Sequence, residues 1–271
     1  MKLSISNIGW DKCDDDKVYT YLKEKGFNAI EVAPTILVGE NPYDKVEEAK
    51  EKLKLLKDNY HFEISSMQSI WYGIKGNIFN TKDRKELLEY TKKAIDFAHL
   101  INCHNLVFGC PKNRIMPDVC SENDVINFFY ELGEYALRNG TILSLEANPT
   151  IYGTNFINYT IDAFNFVKKV NSNGFKVNVD FGTIIANNED LSIIENNISL
   201  INHIHISEPN LVKIQDRKKH KELFNILKKH NYDKYVSIEM KKCEDFNDLI
   251  DTINYVSGVF GEVKEKCYMK K

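Results

Sequence analysis

The stretch INHIHISEPN, residues 201–210, places His203 and His205 two apart with Ile204 and Ile206 interleaved. Successive side chains of a strand point to opposite faces, so the imidazoles share one face and the isoleucines the other. Three more runs repeat the pattern. In ILSLEAN (142–148) Ser144 and Glu146 alternate with Leu143 and Leu145; in KVNVDFG (176–182) Asn178 and Asp180 alternate with Val177 and Val179; in YVSIEM (235–240) Ser237 and Glu239 alternate with Val236 and Ile238.

Working outward, four earlier β-rich runs precede these: LSISNIGW (3–10), NAIEVAP (28–34), HFEISSMQS (61–69) and HNLVFGC (104–110). Charged segments with helical spacing separate the runs, among them KVEEAKEKLKLLKDNY, DRKELLEYTKKAIDFAHLI and KKHKELFNILKKHNY. Gly26, Gly140 and Gly174 fall where helices are expected to stop before a strand. Eight strand-helix units in 271 residues predict one α/β domain over 1–271, a single-domain (β/α)8 TIM barrel. A doubly wound open sheet fits less well, because no glycine-rich phosphate turn follows the first strand.

Strands covered by helices are buried on both sides. The apolar set therefore packs under the helices, and the polar set lines the barrel interior. Burying carboxylates and imidazoles there costs several kcal/mol each unless they are paired, hydrogen-bonded or bound to metal. Glu146, Asp180, His205 and Glu239 end their strands at the C-terminal face, where barrel enzymes carry their chemistry. Three converging carboxylates call for a cation, and this donor set suits Mn²⁺, Mg²⁺ or Co²⁺ and also admits Zn²⁺ or Fe²⁺.

Composition narrows the partners. Net charge is −3 with both signs interspersed, so no basic face for nucleic acid or anionic lipid is expected. No segment reads as a signal peptide or a membrane span, and cytoplasmic placement is the expectation. Six cysteines without a CxxC pair read as free thiols.

The motifs LSLEANP, VNVDFGT, HIHISEP and VSIEM, in that order on the last four strands and with GFNAIEVAP on the second, resemble the sugar phosphate isomerase/epimerase superfamily. These xylose isomerase-like barrels include ketose 3-epimerases, inosose and dehydroshikimate dehydratases and endonuclease IV. The resemblance implies one divalent ion on Glu146, Asp180, His205 and Glu239, with Glu146 and Glu239 as the acid/base pair. It implies proton abstraction beside a carbonyl through a metal-stabilised enediolate; a related dehydratase, or a catalytically silent sugar-binding barrel, are the alternatives. Two positions depart from the pattern: Thr183 stands where a histidine is frequent, and Leu211 where free-ketose epimerases carry arginine. Endonuclease IV is disfavoured, because the third and fourth strands lack its extra histidines.

Around this centre, Glu31, Gln68, Trp71, Asn148 and Glu208 are candidate substrate contacts, with Tyr152 beside them. Lys112 and Arg114, in the loop after the fourth strand, are expected at the barrel mouth as a clamp for a phosphate or carboxylate. The expected partner is thus a small-molecule sugar, phosphorylated or otherwise anionic, and a homo-oligomer is compatible with the sequence. His203, one layer below His205, reads as a supporting residue. His61, His99, His104, His220 and His230 receive no role.

Overall fold

The structure, a computed structural model, describes residues 1–261. Cys267 lies outside the described residues; the other five cysteines are free thiols. Eight strands appear in order: β1 (Lys2–Ser6), β2 (Ala29–Val32), β3 (Glu63–Met67), β4 (Asn105–Phe108), β5 (Ile142–Glu146), β6 (Phe175–Asp180), β7 (Ile201–Ile206) and β8 (Tyr235–Ile238). Each pairs in parallel with its neighbours, and β1 pairs with β8 to close a barrel. This is a single-domain TIM barrel, as the spacing of the runs predicts.

The helices form where amphipathic spacing and caps coincide. Val46–Tyr60, Thr81–Leu100 and Lys218–Lys229 cover the three charged segments quoted above. The Asn80 side chain accepts from the backbone N–H groups of Lys82 and Asp83, and Ser121 accepts from Asp124, satisfying donors that a helix start leaves free. Among the described residues no helix is long and apolar enough to cross a membrane.

The strand alternation resolves as the burial argument requires. Leu143, Leu145, Val177, Val179, Ile204, Ile206, Val236 and Ile238 all lie in the apolar core beneath the helices. Ser144, Asn178, His203, His205 and Ser237 are equally buried in the barrel interior. Below the site this interior is a small-residue polar layer. Ser4 bonds Ser65 at 2.6 Å, Asn105 donates to Ser66 at 2.9 Å, and Ser144 and Asn202 donate to Asn105 Oδ1 at 2.5 and 2.7 Å.

Gly26 and Gly140 follow helix ends with φ of 81° and 69°, as expected. Gly174 is corrected: the preceding helix ends at Val170 and is capped by left-handed Asn171. Gly174 instead lets the turn before β6 press onto Gly133 of the helix Glu122–Arg138. A Cβ there would collide with the Gly133 carbonyl group, 2.8 Å from its carbon, and lie 2.9 Å from Leu137 Cβ. Gly174→Ala is accordingly expected to lower unfolding stability by about 1–3 kcal/mol, the usual cost of overpacking. Urea denaturation checks this, and a variant as stable as the wild type would show that the helix moves aside freely.

Candidate functional site

The last inward side chains of the late strands meet at one rim. Glu146 and Asp180 close β5 and β6, His205 is the penultimate residue of β7, and Glu239 follows β8 with its N–H bonded to Ile206 O at 3.0 Å. Strand register sets Glu146 beside Asn178, and Asp180 beside His205.

His205 is the hub. Its Nδ1 lies 3.2 Å from Glu146 Oε2 and 3.0 Å from Glu239 Oε2, while its Nε2 lies 3.0 Å from Glu31 Oε2. His203 Nε2 lies 2.9 Å from the same Glu31 oxygen without the alignment of a hydrogen bond, and burial pulls this imidazole below the usual histidine range. Burial opposes a charged imidazole, yet Glu239 and Glu31 outweigh it and hold His205 well above the usual histidine range. Burial likewise opposes the Glu31 carboxylate, and the two histidines overcome it, holding Glu31 well below the usual carboxylate range. Burial pushes Glu239 up to about 7, and burial followed by the Glu146 charge pushes Asp180 up to about 6. Negative charge at this rim exceeds what one imidazolium balances.

The remaining contacts orient the carboxylates. Asn148 donates to Glu146 Oε1 at 2.8 Å and Asn178 to Oε2 at 2.7 Å. Asp180 caps the short helix Phe181–Ala186: its Oδ1 accepts from Gly182 N at 3.1 Å and from the Ser207 hydroxyl, and its Oδ2 accepts from Thr183 N at 3.1 Å. The Thr183 hydroxyl lies 2.9 Å from both Asp180 Oδ2 and Ala147 O. Thr183 therefore braces Asp180 in the position where a histidine is frequent in the resembling proteins.

This donor set fits a divalent cation. Glu146, His205 and Glu239 offer ligand atoms all within 4.8 Å of one another; Asp180, expected as a fourth ligand, lies on the adjoining strand outside that group, both its oxygens engaged by Gly182, Thr183 and Ser207. The Glu31 contact engages Nε2 of His205 and leaves Nδ1 facing the two glutamates, the arrangement in which a carboxylate orients a metal-binding imidazole. Glu31, His203 and His205 meet the same spacing as a second group. They are 0–1% exposed, whereas Glu146, Asp180 and Glu239 keep 6–8%. The carboxylate rim is the reachable cluster, and Glu31 with His203 supports it from below.

Several candidate contacts are placed differently from expectation. Trp71 is buried, with its indole N–H donating to Thr91 at 2.9 Å and its ring edge-on to Phe108 and Phe128. It packs in the helix–strand core and forms no wall for a sugar. Glu208 is buried and holds Arg217 through two bonds of 2.6 Å, so it anchors the loop after β7 and is not free for substrate. Lys112 and Arg114 make no clamp: Lys112 is exposed, while Arg114 is fully buried and donates to Glu146 O at 2.9 Å and Asn148 Oδ1 at 2.6 Å. Gln68 bonds Ser6 and Ser69, each at 2.7 Å. The Tyr152 hydroxyl accepts from Asn210 N at 2.8 Å, tying the loops after β5 and β7 together. Asn178 and Ser207 carry roles that sequence reading left unassigned, although the alternation in β6 already placed Asn178 on the inward face.

The chain's relatives agree with this architecture. Among curated proteins none matches it. The structure of 3-keto-D-glucoside 4-epimerase YcjR from E. coli is 19% identical with a TM-score of 0.73, covering 96% of this chain and 98% of that one. D-psicose 3-epimerase, determined in the presence of D-fructose, is 16% identical with a TM-score of 0.74, covering 97% and 100%. A probable 3-DHS dehydratase, AsbF, from Bacillus anthracis is 17% identical with a TM-score of 0.68, covering 97% and 100%. At these identities the likeness carries the fold alone. The family model for xylose isomerase-like TIM barrels matches residues 19–254, most of the described barrel, and the chain belongs to that family.

Proposed function

We propose that this protein is a divalent-metal-dependent isomerase or epimerase of a keto-sugar, with Glu146 and Glu239 as its acid/base pair. One observation carries the reading: Glu146, which closes β5, and Glu239, which follows β8, both reach the same nitrogen of His205, at 3.2 and 3.0 Å. A pure binding protein has little need for both. Relatives in fold whose names include sugar 3- and 4-epimerases support the substrate class.

A divalent cation held by Glu146, Asp180, His205 and Glu239 supplies Lewis acidity that makes the carbon beside a carbonyl acidic. Mn²⁺, Mg²⁺ or Co²⁺ suits the oxygen-rich set best, with Zn²⁺ or Fe²⁺ also admitted. The protein's own part is proton movement. Glu146, held by Asn148 and Asn178, takes the proton from one face of that carbon, and the C–H electron pair enters a new C=C bond as the carbonyl π pair settles on oxygen. Glu239 returns a proton on the opposite face, giving the epimer; delivery to the neighbouring carbon gives the isomer. Asp180 stays fixed by Ser207, Thr183 and Gly182 and holds no proton in transit.

The loop after β4 offers no paired clamp for an anion, which favours a neutral sugar at that loop. Of the two basic residues in the loop after β4, Arg114 is buried behind Glu146 and Lys112 is exposed, and Arg217 after β7 is engaged by Glu208.

Two outcomes check this reading. Incubated in D₂O with Mn²⁺ and D-fructose, D-tagatose or D-psicose, the wild type should exchange a carbon-bound proton, and metal-loaded Glu239→Gln should do so at least ~100-fold more slowly, the usual contribution of a positioned acid or base. Wild-type exchange in the loaded variant removes Glu239 from that role; removing metal with a chelator should abolish exchange in the wild type. For substrate charge, Lys112→Ala should leave KM for a neutral sugar within about twofold, and a phosphorylated form should bind no better than the free one. A phosphate that tightens binding ~10-fold, with the gain lost in Lys112→Ala, restores the anionic sugar.

A further inference from the structure

Arg114 is the largest fully buried side chain among the described residues, and its surroundings are unusual for a guanidinium. Buried arginines are ordinarily paired with carboxylates. No carboxylate oxygen among the described residues lies within 4.0 Å of this one, and its Nε and Nη1 have no hydrogen-bond partner. Only Nη2 is engaged, donating to Glu146 O and Asn148 Oδ1. An apolar side chain of similar length would fill this space without the cost of desolvating a charge. Packing therefore does not account for an arginine here.

We propose that Arg114 is a positioning residue for Glu146, acting through the Asn148 side chain. The inference rests on the acid/base and ligand role given to Glu146 above. An arginine only donates, so the amide oxygen of Asn148 faces it and the amide NH₂ is turned onto Glu146 Oε1, 2.8 Å away. Without that donor, the contact with Glu146 Oε1 alone selects the orientation of the amide, and nothing holds its oxygen end in place. Arg114 also holds the Glu146 carbonyl, fixing the main chain that carries the same residue. Gly109 closes the third side: a Cβ there would lie 3.0 Å from Glu146 Oε1 and 3.5 Å from Asn148 Oδ1, so no side chain intrudes on the pair. Asn178 grips the other carboxylate oxygen, and Glu146 is left with one orientation towards His205.

The test compares Arg114→Met, Asn148→Ala and the double variant. Mn²⁺ affinity is measured by calorimetry on the metal-free proteins, melting temperature without metal, and Glu146 geometry by crystallography. Each single variant should bind Mn²⁺ about tenfold more weakly, the usual effect of losing an outer partner of a ligand, and the double should lose no more than the worse single. The Glu146 carboxylate should rotate in both single variants. If Arg114→Met does not fold, the shorter, neutral Arg114→Gln takes its place with the same expected result. An Arg114 variant with wild-type Mn²⁺ affinity and an unmoved Glu146 carboxylate, even at a reduced melting temperature, assigns Arg114 to packing and overturns the proposal; strictly additive losses also overturn it. Should the wild type itself bind no Mn²⁺, the proposed function falls, and the orientation of Glu146 in the variant crystals decides the positioning role by itself.

Discussion

The imidazole of His205 touches carboxylates from three directions, Glu146 and Glu239 at Nδ1 and Glu31 at Nε2, and the rest of the site is arranged around that balance of charge. In a medium of low dielectric, carboxylates this close repel strongly. The protein answers in layers. Glu31 is stabilised as an anion by His203 and His205, while Asp180 is held by the helix start it caps and by two hydroxyls, and Glu146 by hydrogen bonds from two amides. Glu239 has the thinnest protein support, since His205 is its sole side-chain partner among the described contacts, and burial pushes it up to about 7. The two glutamates are therefore inequivalent before any substrate arrives.

The barrel interior makes this possible. Barrels of this architecture ordinarily fill their centre with branched apolar side chains. Here the layer beneath the site is serine and asparagine, linked by Ser4 with Ser65 and by Asn105 with Ser66, Ser144 and Asn202. Small polar groups that satisfy one another leave room above for long carboxylate side chains. The cost is uneven satisfaction, since Glu31 Oε1, Asn178 Oδ1 and Ser237 Oγ have no hydrogen-bond partner among the described residues.

Loops show how a cation's meaning depends on its surroundings. In the sequence, Lys112 and Arg114 look alike, two basic residues after β4. In the fold, the 3₁₀ turn Pro111–Asn113 sends one to solvent and the other under the rim. Glu208 and Arg217 are nine residues apart, with no local spacing to announce that they pair, yet they form the two-bond contact that anchors the β7 loop. Trp71 joins Thr91 and two phenylalanines from other elements, so its burial follows from packing between layers that a single strand does not encode.

By itself the sequence determined the eight strand-helix units, the alternating faces of the late strands, and the four polar residues at or next to their C-terminal ends, because side-chain alternation is a local property of an extended chain. The period put the two histidines of β7 on one face, and the covering of barrel strands by helices assigned that face to the interior. The tertiary structure decided everything that depends on a partner distant in the chain. It set Glu31 against residues 172 and 174 positions further on, turned Thr183 into a brace for Asp180, gave Gly174 a close approach in place of a cap, and buried Arg114 behind Glu146. Hydrogen-bond partners and burial are fixed by which elements meet in space, and that meeting follows from closure of the whole barrel.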